Sequence, residues 1–438
     1  MTLATPITVI RGRFLDIQKI VSQASEIADQ VRYIEDGVLI TEQGKIRWFG
    51  TWEDAQAQLP TQIEIQHYPE QLIIPGMIDT HIHFPQTEMV GAYGEQLLSW
   101  LNTYTFPTEI QFKDKTYASE IAKFFVNELL KNGTTTALVF CTVHPESVDA
   151  LFEAAQQHQM RLIAGKVMMD RHAPEALCDT AESAYDDSKA LIEKWHGQGR
   201  ALYAITPRFA PTSTPKQLER AGQLKAEYPD VYVHTHLSEN KDEIAWVKDL
   251  FPAQKGYLDV YHHYGLTGQR SVFAHCVHLE DAEWQCMHET DSAIAFCPTS
   301  NLFLGSGLFP LKKTWQQQVK VGLGTDIGAG TSFSLLQTVN EAYKVQQLQG
   351  DKLSAFESLY HATLGGAKAL DLDDKLGNFN VGKEADFVVL NIKPTALQQL
   401  RQSRAKSLED SLFALFTMGD DRNIEATYIY GQKAYSQN

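Results

Sequence analysis

Residues 73–86 read IIPGMIDTHIHFPQ, and this stretch decides how the rest of the chain is interpreted. Its apolar residues and the turn-forming pair Pro75-Gly76 predict a strand that starts at Met77. Side chains two positions apart in a strand point to the same side, so His81 and His83 should project together. Two such imidazoles supply half of a metal site, although an H-x-H pair alone is weak evidence and is more often two ordinary strand histidines.

Seven further β-type runs follow this stretch, and amphipathic helical patterns separate most of them, for example over residues 117–133, 145–159 and 216–228. The alternation predicts an α/β protein with βα units around a parallel sheet, and eight strands favour a closed (β/α)8 TIM-like barrel. An open doubly wound sheet also fits the periodicity, but no G-x-G-x-x-G motif follows an early strand. The seven runs are residues 134–140, 161–169, 201–207, 231–237, 271–276, 292–298 and 320–326.

Both ends of the chain carry further β-type sequence. These segments are rich in Ile, Val, Tyr and Trp and contain Gly at their turns, so we expect them to pair in one small β-sandwich module. The segments are residues 7–17, 37–50, 63–70, 377–391 and 424–436. The predicted domains are 1–72 and 371–438 for the two parts of the β-sandwich and 73–370 for the barrel.

Composition narrows the classes of function. The chain has 438 residues, of which 43% are hydrophobic and 21% charged, a normal balance for a globular protein. Its net charge of −16 argues against nucleic acid or an anionic membrane as the main partner, because both require clustered Lys and Arg. No run approaches the roughly 20 apolar residues of a membrane span, and the first residues do not resemble a signal peptide. Five scattered cysteines without C-x-x-C favour a reducing cytoplasm.

Metal-competent side chains end four of the predicted strands. Barrel enzymes carry their chemistry at the carboxyl ends of strands, so these side chains should meet at one rim. Histidines with one aspartate and no thiolate suit Zn²⁺ or Fe²⁺ and leave a position for water. Taken singly, His275 would be a buried core histidine and Asp326 a loop residue; their joint placement favours ligands. The residues are His81, His83, His234, His236, His275 and Asp326.

Glu239 lies three residues beyond His236. An acid at this place could stabilise a helix N-terminus through the helix dipole. Beside a metal site it would instead carry protons to and from the reacting groups, which is the interpretation we favour.

Several motifs together resemble the amidohydrolase superfamily, in its single-metal deaminase branch. They are PGMIDTHIH (75–83), VYVHTHLSEN (231–240), AHC (274–276), CPTSN (297–301), GLGTD (322–326) and, in the terminal module, GNFNVGKEADFVVLN (377–391). Within that branch, residues 83–109 and the segment ITPRFAPTST (205–214) are similar to the guanine deaminases. The resemblance covers the whole barrel.

The resemblance implies hydrolytic deamination of guanine to xanthine and ammonia in purine breakdown, by a homodimer with one Zn²⁺, or Fe²⁺, in each subunit. Glu239 and Asp326 would move protons, and His275 would steady the tetrahedral adduct. From the residues alone, Arg208 could equally form a salt bridge and Phe209 could be core. The implied metal ligands are His81, His83, His236, His275 and Asp326, and the implied purine contacts are Gln86, Arg208, Phe209 and His236.

Two other functions stay open at this stage. One keeps the chemistry on cytosine, an adenosine-type nucleoside or a triazine; the other is a non-catalytic binding protein on a barrel scaffold. The aromatic-rich residues 86–109 are predicted to lie over the barrel mouth or at a subunit contact.

Three sequence features with metal-competent or catalytic residue types are not assigned to the site. Lys166 lies within its predicted strand and not clearly at its end, so it is not assigned to a second metal. The triplet His144-Pro145-Glu146 lacks the P-C-x-x-C motif of the other zinc deaminase class. The pair His262-His263 is predicted to lie at the surface, since adjacent residues do not share a face.

Overall fold

The structure is a computed structural model that describes residues 7–59, 63–93 and 97–437, without the side chains of residues 97 and 98. The strands are β1 (Thr8–Ile17), β2 (Val31–Glu42), β3 (Lys45–Thr51), β4 (Ile65–Pro75), β5 (Met77–His83), β6 (Thr134–Phe140), β7 (Arg161–Gly165), β8 (Val167–Met168), β9 (Leu202–Pro207), β10 (Tyr232–Leu237), β11 (Ser271–His275), β12 (Ala293–Phe296), β13 (Lys320–Leu323), β14 (Phe387–Leu390), β15 (Ile424–Ile429) and β16 (Gln432–Ser436).

The helices are α1 (Trp52–Ala55), α2 (Leu97–Trp100), α3 (Phe106–Glu109), α4 (Lys115–Lys131), α5 (Pro145–Gln157), α6 (Ala181–Trp195), α7 (Pro215–Glu227), α8 (Lys241–Leu250), α9 (Tyr257–His263), α10 (Asp281–Glu289), α11 (Pro298–Phe303), α12 (Leu311–Gln317), α13 (Leu335–Leu348), α14 (Ala355–Ala362), α15 (Leu364–Ala369), α16 (Ala396–Gln402) and α17 (Leu408–Met418). Among these helices, none combines the length and the apolar character needed to cross a lipid bilayer.

Eight parallel strands form a barrel in the order β13-β12-β11-β10-β9-β7-β6-β5, with β8 paired to β9. Hydrogen bonds join the two ends of this order. The Thr80 hydroxyl donates to the Leu323 carbonyl at 2.9 Å, and the Asp326 N–H donates to the His81 carbonyl at 2.9 Å. The predicted (β/α)8 barrel is confirmed, and each of the predicted strand runs contains a barrel strand.

The run 161–169 was predicted as one strand, and the structure divides it at Lys166 into β7 and β8. The Lys166 N–H donates to the side-chain hydroxyl of Tyr203 in β9 at 3.2 Å instead of to a backbone carbonyl. Next to it, Gly165 lies against β9 so closely that a Cβ there would meet the Ala204 carbonyl oxygen at 1.7 Å. The break therefore follows from contacts with β9 and not from local sequence.

A second sheet unites both ends of the chain in the order β16-β15-β14-β4-β1-β2-β3. All neighbouring pairs in it are antiparallel except β1 and β4. The sheet has its own hydrophobic cluster, where Phe14 meets Phe49 and Phe379 with ring centroids 5.2 and 5.4 Å apart. The predicted module from both termini is confirmed.

Two details of this module differ from the sequence pattern. Helices α16 and α17 lie between the predicted β-type segments of the C-terminal part and were not predicted. Strand β4 runs to Pro75, so the predicted boundary at residue 72 falls inside it. The boundaries stay a prediction, and residues 1–6, 60–62 and 438 of the predicted terminal domains lie outside the described residues.

Buried ion pairs join the terminal sheet to the bottom of the barrel. Arg161 at the start of β7 and Arg200 just before β9 are both buried, and both reach Glu384, at 2.5 and 2.6 Å. The Arg200 guanidinium also donates to Asp386 at 3.0 Å. These pairs lie at the amino ends of the strands, opposite the rim where barrel chemistry resides.

We expect Arg200→Ala to lower the free energy of unfolding by about 3 kcal/mol, because it leaves the buried Asp386 carboxylate without its partner. Urea denaturation of the purified protein measures this loss. Arg47→Ala is the matched control: the Arg47–Glu42 pair is 3.6 Å long and both side chains are more than 40% exposed. That variant should lose less than about 1 kcal/mol; equal losses in the two variants would contradict the proposed role of the buried pairs.

Candidate active site

The structure brings the predicted metal ligands together at the carboxyl end of the barrel. His81 Nε2 lies 3.1 Å and His83 Nε2 3.3 Å from the Asp326 carboxylate. His83 Nε2 is also 3.2 Å from His236 Nε2, and His275 Nε2 is 3.8 Å from Asp326. Two overlapping sets, His81 with His83 and His236, and His81 with His275 and Asp326, each place their ligand atoms within 4.8 Å of one another.

The strands and the residues just after them aim these side chains. His81 and His83 share one side of β5, as the two-residue period of a strand requires. His275 and Asp326 instead adopt the left-handed backbone conformation, with φ of 71° and 53°. A non-glycine residue adopts this conformation at a cost, and such strain is concentrated at functional sites.

Hydrogen bonds behind the cluster orient two of the imidazoles. His236 Nδ1 lies 2.7 Å from the Arg208 carbonyl, and His275 Nδ1 lies 2.9 Å from the Asn301 side-chain oxygen. Both partner atoms are oxygens that accept a hydrogen bond, so each Nδ1 donates its N–H. The Nε2 lone pairs are therefore free to point into the cluster, which is how metal-ligating histidines are usually oriented.

The protonation states also suit a metal. Burial lowers the pKa of His81, lowers that of His83 to about 3 and holds that of His236 well below its usual value. Burial raises the pKa of Asp326, but the neighbouring imidazoles lower it more, so its net pKa lies well below normal. Neutral imidazoles and an ionised carboxylate are the forms that ligate Zn²⁺ or Fe²⁺.

Glu239 is buried beside this cluster, and burial raises its pKa to about 8. The Ser306 hydroxyl donates to its Oε1 at 3.0 Å, and its Oε2 lies 3.5 Å from His275 Nε2. Helix α8 starts later, at Lys241, and is capped by Asn240. Glu239 thus lies outside helix α8, and its raised pKa favours the protonated form at neutral pH.

A pocket opens over the cluster and exposes its side chains to a ligand. Trp100 and Leu101 line it, so part of the aromatic-rich segment lies over the barrel mouth; residues 94–96 of that segment lie outside the described residues. The other lining residues are His83, Gln86, Arg208, Phe209, His236, Glu239, Glu243, His275, Leu304, Asp326 and Ala329.

Arg208 faces the pocket and also forms the salt bridge that the residues alone allowed. Its NH1 donates to both carboxylate oxygens of Glu109, at 3.0 and 2.8 Å. Gln86 Nε2 donates to the same carboxylate at 3.1 Å. Sequence reasoning missed Glu109, although it is the single charged residue between positions 97 and 109 and that fact could have marked it.

Other histidines and Lys166 take the following places. His234 is metal-competent but is not among the implied ligands. It lies behind His81, with 2.8 Å between His234 Nε2 and His81 Nδ1. The buried Lys166 ammonium forms an ion pair with Asp179. His262 and its neighbour His263 are exposed at the end of α9.

Known proteins share this fold over nearly the whole chain. The guanine deaminase of Escherichia coli (strain K12) is 64% identical over 429 residues, 98% of each chain. The solved structure of E. coli guanine deaminase has a TM-score of 0.96 at 61% identity, over 99% of this chain and 100% of that one. Guanine deaminase from C. acetobutylicum, solved with guanine bound in its active site, has a TM-score of 0.88 at 30% identity, over 98% and 100%.

The pattern of the amidohydrolase family matches residues 72–434, which is most of the chain. That span begins inside β4 and includes every residue of the histidine–aspartate cluster. The chain therefore belongs to the amidohydrolase family.

Proposed function

We propose that this protein hydrolyses guanine to xanthine and ammonia. The observation that carries the proposal is the buried Glu239, whose pKa is raised to about 8 and which lines the same pocket as the histidine–aspartate cluster. The 64% identity to the E. coli guanine deaminase over 98% of this chain supports guanine as the substrate over cytosine, nucleosides and triazines.

His81, His83, His236, His275 and Asp326 would hold one divalent cation, which we propose to be Zn²⁺, with Fe²⁺ as the alternative. The lowered pKa values of His83, His236 and Asp326 and the oriented Nε2 atoms of His236 and His275 support this assignment. Lys166 is engaged with Asp179, which supports a single cation. When bound, the cation supplies the Lewis acidity that makes water a nucleophile at neutral pH.

The side chains of the pocket divide the proton transfers between them. Asp326, which is ionised, accepts the proton of the water that attacks C2 of the ring. Glu239, which is protonated, donates to the ring nitrogen beside C2 and then relays a proton from Asp326 to the departing amino group. The C–O bond forms, the C–N bond breaks and ammonia leaves. The remaining hydroxyl proton of the adduct passes to Glu239 as the C2 carbonyl forms, which restores the acid. His275 Nε2 lies 3.5 Å from Glu239 and 3.8 Å from Asp326, and steadies the adduct there.

Gln86, Arg208, Phe209 and His236 would bind the purine. The Arg208 NH2 and Nε form no hydrogen bond to another described residue, so they are left for a carbonyl oxygen and a ring nitrogen. Phe209 offers an aromatic surface to a flat ring, and Gln86 a polar group to its edge.

We expect Arg208→Lys to raise KM for guanine by about 10- to 100-fold, because an ammonium cannot reproduce the paired N–H groups of a guanidinium. The kcat should change less. Steady-state kinetics measure both constants. Arg220→Lys, at a residue whose side chain is 37% exposed on α7, is the control and should leave KM unchanged. An unchanged KM in Arg208→Lys would remove Arg208 from the purine contacts.

Ammonia release tests the proposed reaction. Zn²⁺-loaded protein is mixed in turn with guanine, adenine, cytosine and their nucleosides. We expect release from guanine. Release from cytosine or a nucleoside but not from guanine would favour the other aminohydrolases, and no release from any of them would favour the non-catalytic binding protein.

We also propose a role in purine catabolism, a cytoplasmic location and a homodimer. All five cysteines are free thiols, which supports a reducing compartment. Tyr93, in the aromatic-rich segment, is 76% exposed and would suit a subunit contact. Light scattering of the wild type and of Tyr93→Asp tests the dimer: a dimer that the substitution weakens is expected, and a wild-type monomer would contradict it.

A further inference from the structure

Glu109 lies directly behind the proposed purine contacts. Its side chain is 1% exposed and that of Arg208 3% exposed, so the ion pair between them is almost free of solvent. Both Glu109 oxygens accept from Arg208 NH1, and Oε1 also accepts from Gln86. Glu109 does not itself line the pocket, so it acts through its two neighbours.

These contacts set the direction of both neighbours before a substrate arrives. The Gln86 amide is held at both ends, because its Oε1 accepts the Gly328 N–H at 3.1 Å while its Nε2 donates to Glu109. The Arg208 guanidinium lies 5.7 Å from the Phe106 ring centroid. Donors that are fixed in advance lose little freedom when a ligand binds.

The same contacts set the charge that a ligand meets. No other described carboxylate forms an ion pair with Arg208, so Glu109 alone neutralises it at close range. In a dry pocket, an unpaired guanidinium would attract anions strongly. Guanine is neutral at neutral pH, whereas its dioxo product is a stronger acid, because two carbonyl groups share the charge of its anion.

We propose that Glu109 is a positioning residue that also sets selectivity: it aims and neutralises Arg208, so that the pocket favours a neutral oxopurine over the anion of the dioxopurine product. This inference rests on the proposed function. Its consequence is that product leaves the site instead of accumulating in it.

Glu109→Gln tests this inference, because it keeps the shape and removes the charge. Calorimetry at mildly alkaline pH measures the Kd of xanthine, which is partly anionic there, and of hypoxanthine, which is neutral. We expect the affinity for xanthine relative to that for hypoxanthine to increase by about tenfold, because the variant leaves a buried cation unpaired. Product inhibition by xanthine should increase by a similar factor.

Glu384→Gln is the matched control, since Glu384 also pairs with buried arginines but lies at the opposite end of the barrel. The ratio of the xanthine Kd to the hypoxanthine Kd in this variant should equal that of the wild type. Arg208→Gln is the second variant: it leaves Glu109 unpaired, and the ratio should shift towards hypoxanthine.

Equal changes for both ligands in Glu109→Gln, or the same shift in Glu384→Gln, would overturn the inference. If Glu109→Gln fails to fold, an unshifted ratio in Arg208→Gln overturns it instead. Wild-type protein that releases no ammonia from guanine would refute the proposed function, whereas an active wild type with unchanged selectivity in the variants would refute only the role of Glu109.

Discussion

Glu239→Gln should lower kcat for guanine deamination by about 10³-fold, the range expected when a general acid–base group is lost. The amide keeps the size of the side chain and can still accept from Ser306, but it cannot hold or pass on a proton. Metal content should stay at one equivalent, because Glu239 is not among the proposed ligands. Turnover measured by ammonia release and metal measured by elemental analysis check the two parts of this prediction.

Glu283→Gln provides the matched control for that experiment. Glu283 is a buried acid outside the pocket; its carboxylate accepts the Glu280 N–H at the start of α10 and the Leu258 N–H at the start of α9. It therefore has the structural role that the alternative interpretation gives to Glu239, that of a helix N-terminal acid. Its replacement should leave kcat within a few-fold of the wild type. Near-normal turnover in Glu239→Gln would remove Glu239 as the proton carrier.

Loss of the metal is the second change that we expect to lower turnover strongly. His81→Gln should lower both metal content and turnover, the latter by more than about 10³-fold, because His81 belongs to both overlapping ligand sets. Dialysis of the wild type against a chelator should abolish turnover, and added Zn²⁺ or Fe²⁺ should restore it. The melting temperature should fall on chelation, since a ligand that binds only the folded state stabilises it.

The exposed His262 on α9 supplies the control for the ligand variant. His262→Gln should keep its metal, its melting temperature and its turnover. If His81→Gln retained one equivalent of metal and normal turnover, the proposed ligand set would be wrong. Elemental analysis of the active wild type also identifies which metal restores function.

Much of the barrel was predictable because strands and helices have short periods. The H-x-H pair at positions 81 and 83 shares one face of β5 as a two-residue period requires, and the helical patterns at 117–133 and 145–159 match α4 and α5 within a few residues. The position of each strand end also predicted which rim His275 and Asp326 would occupy. Helices α16 and α17 were not predicted, because they interrupt a region of β-type sequence.

What the sequence determined by itself was therefore local: the strands, the faces of their side chains and the set of metal-competent residues at their carboxyl ends. The tertiary structure alone decided that Glu109 pairs with Arg208, 99 positions away, that β7 ends where Tyr203 accepts the Lys166 N–H, and that Glu239 is buried enough to keep its proton. The physical reason is that burial and long-range pairing depend on which distant groups a fold brings together. Periodicity along the chain carries no record of those distances.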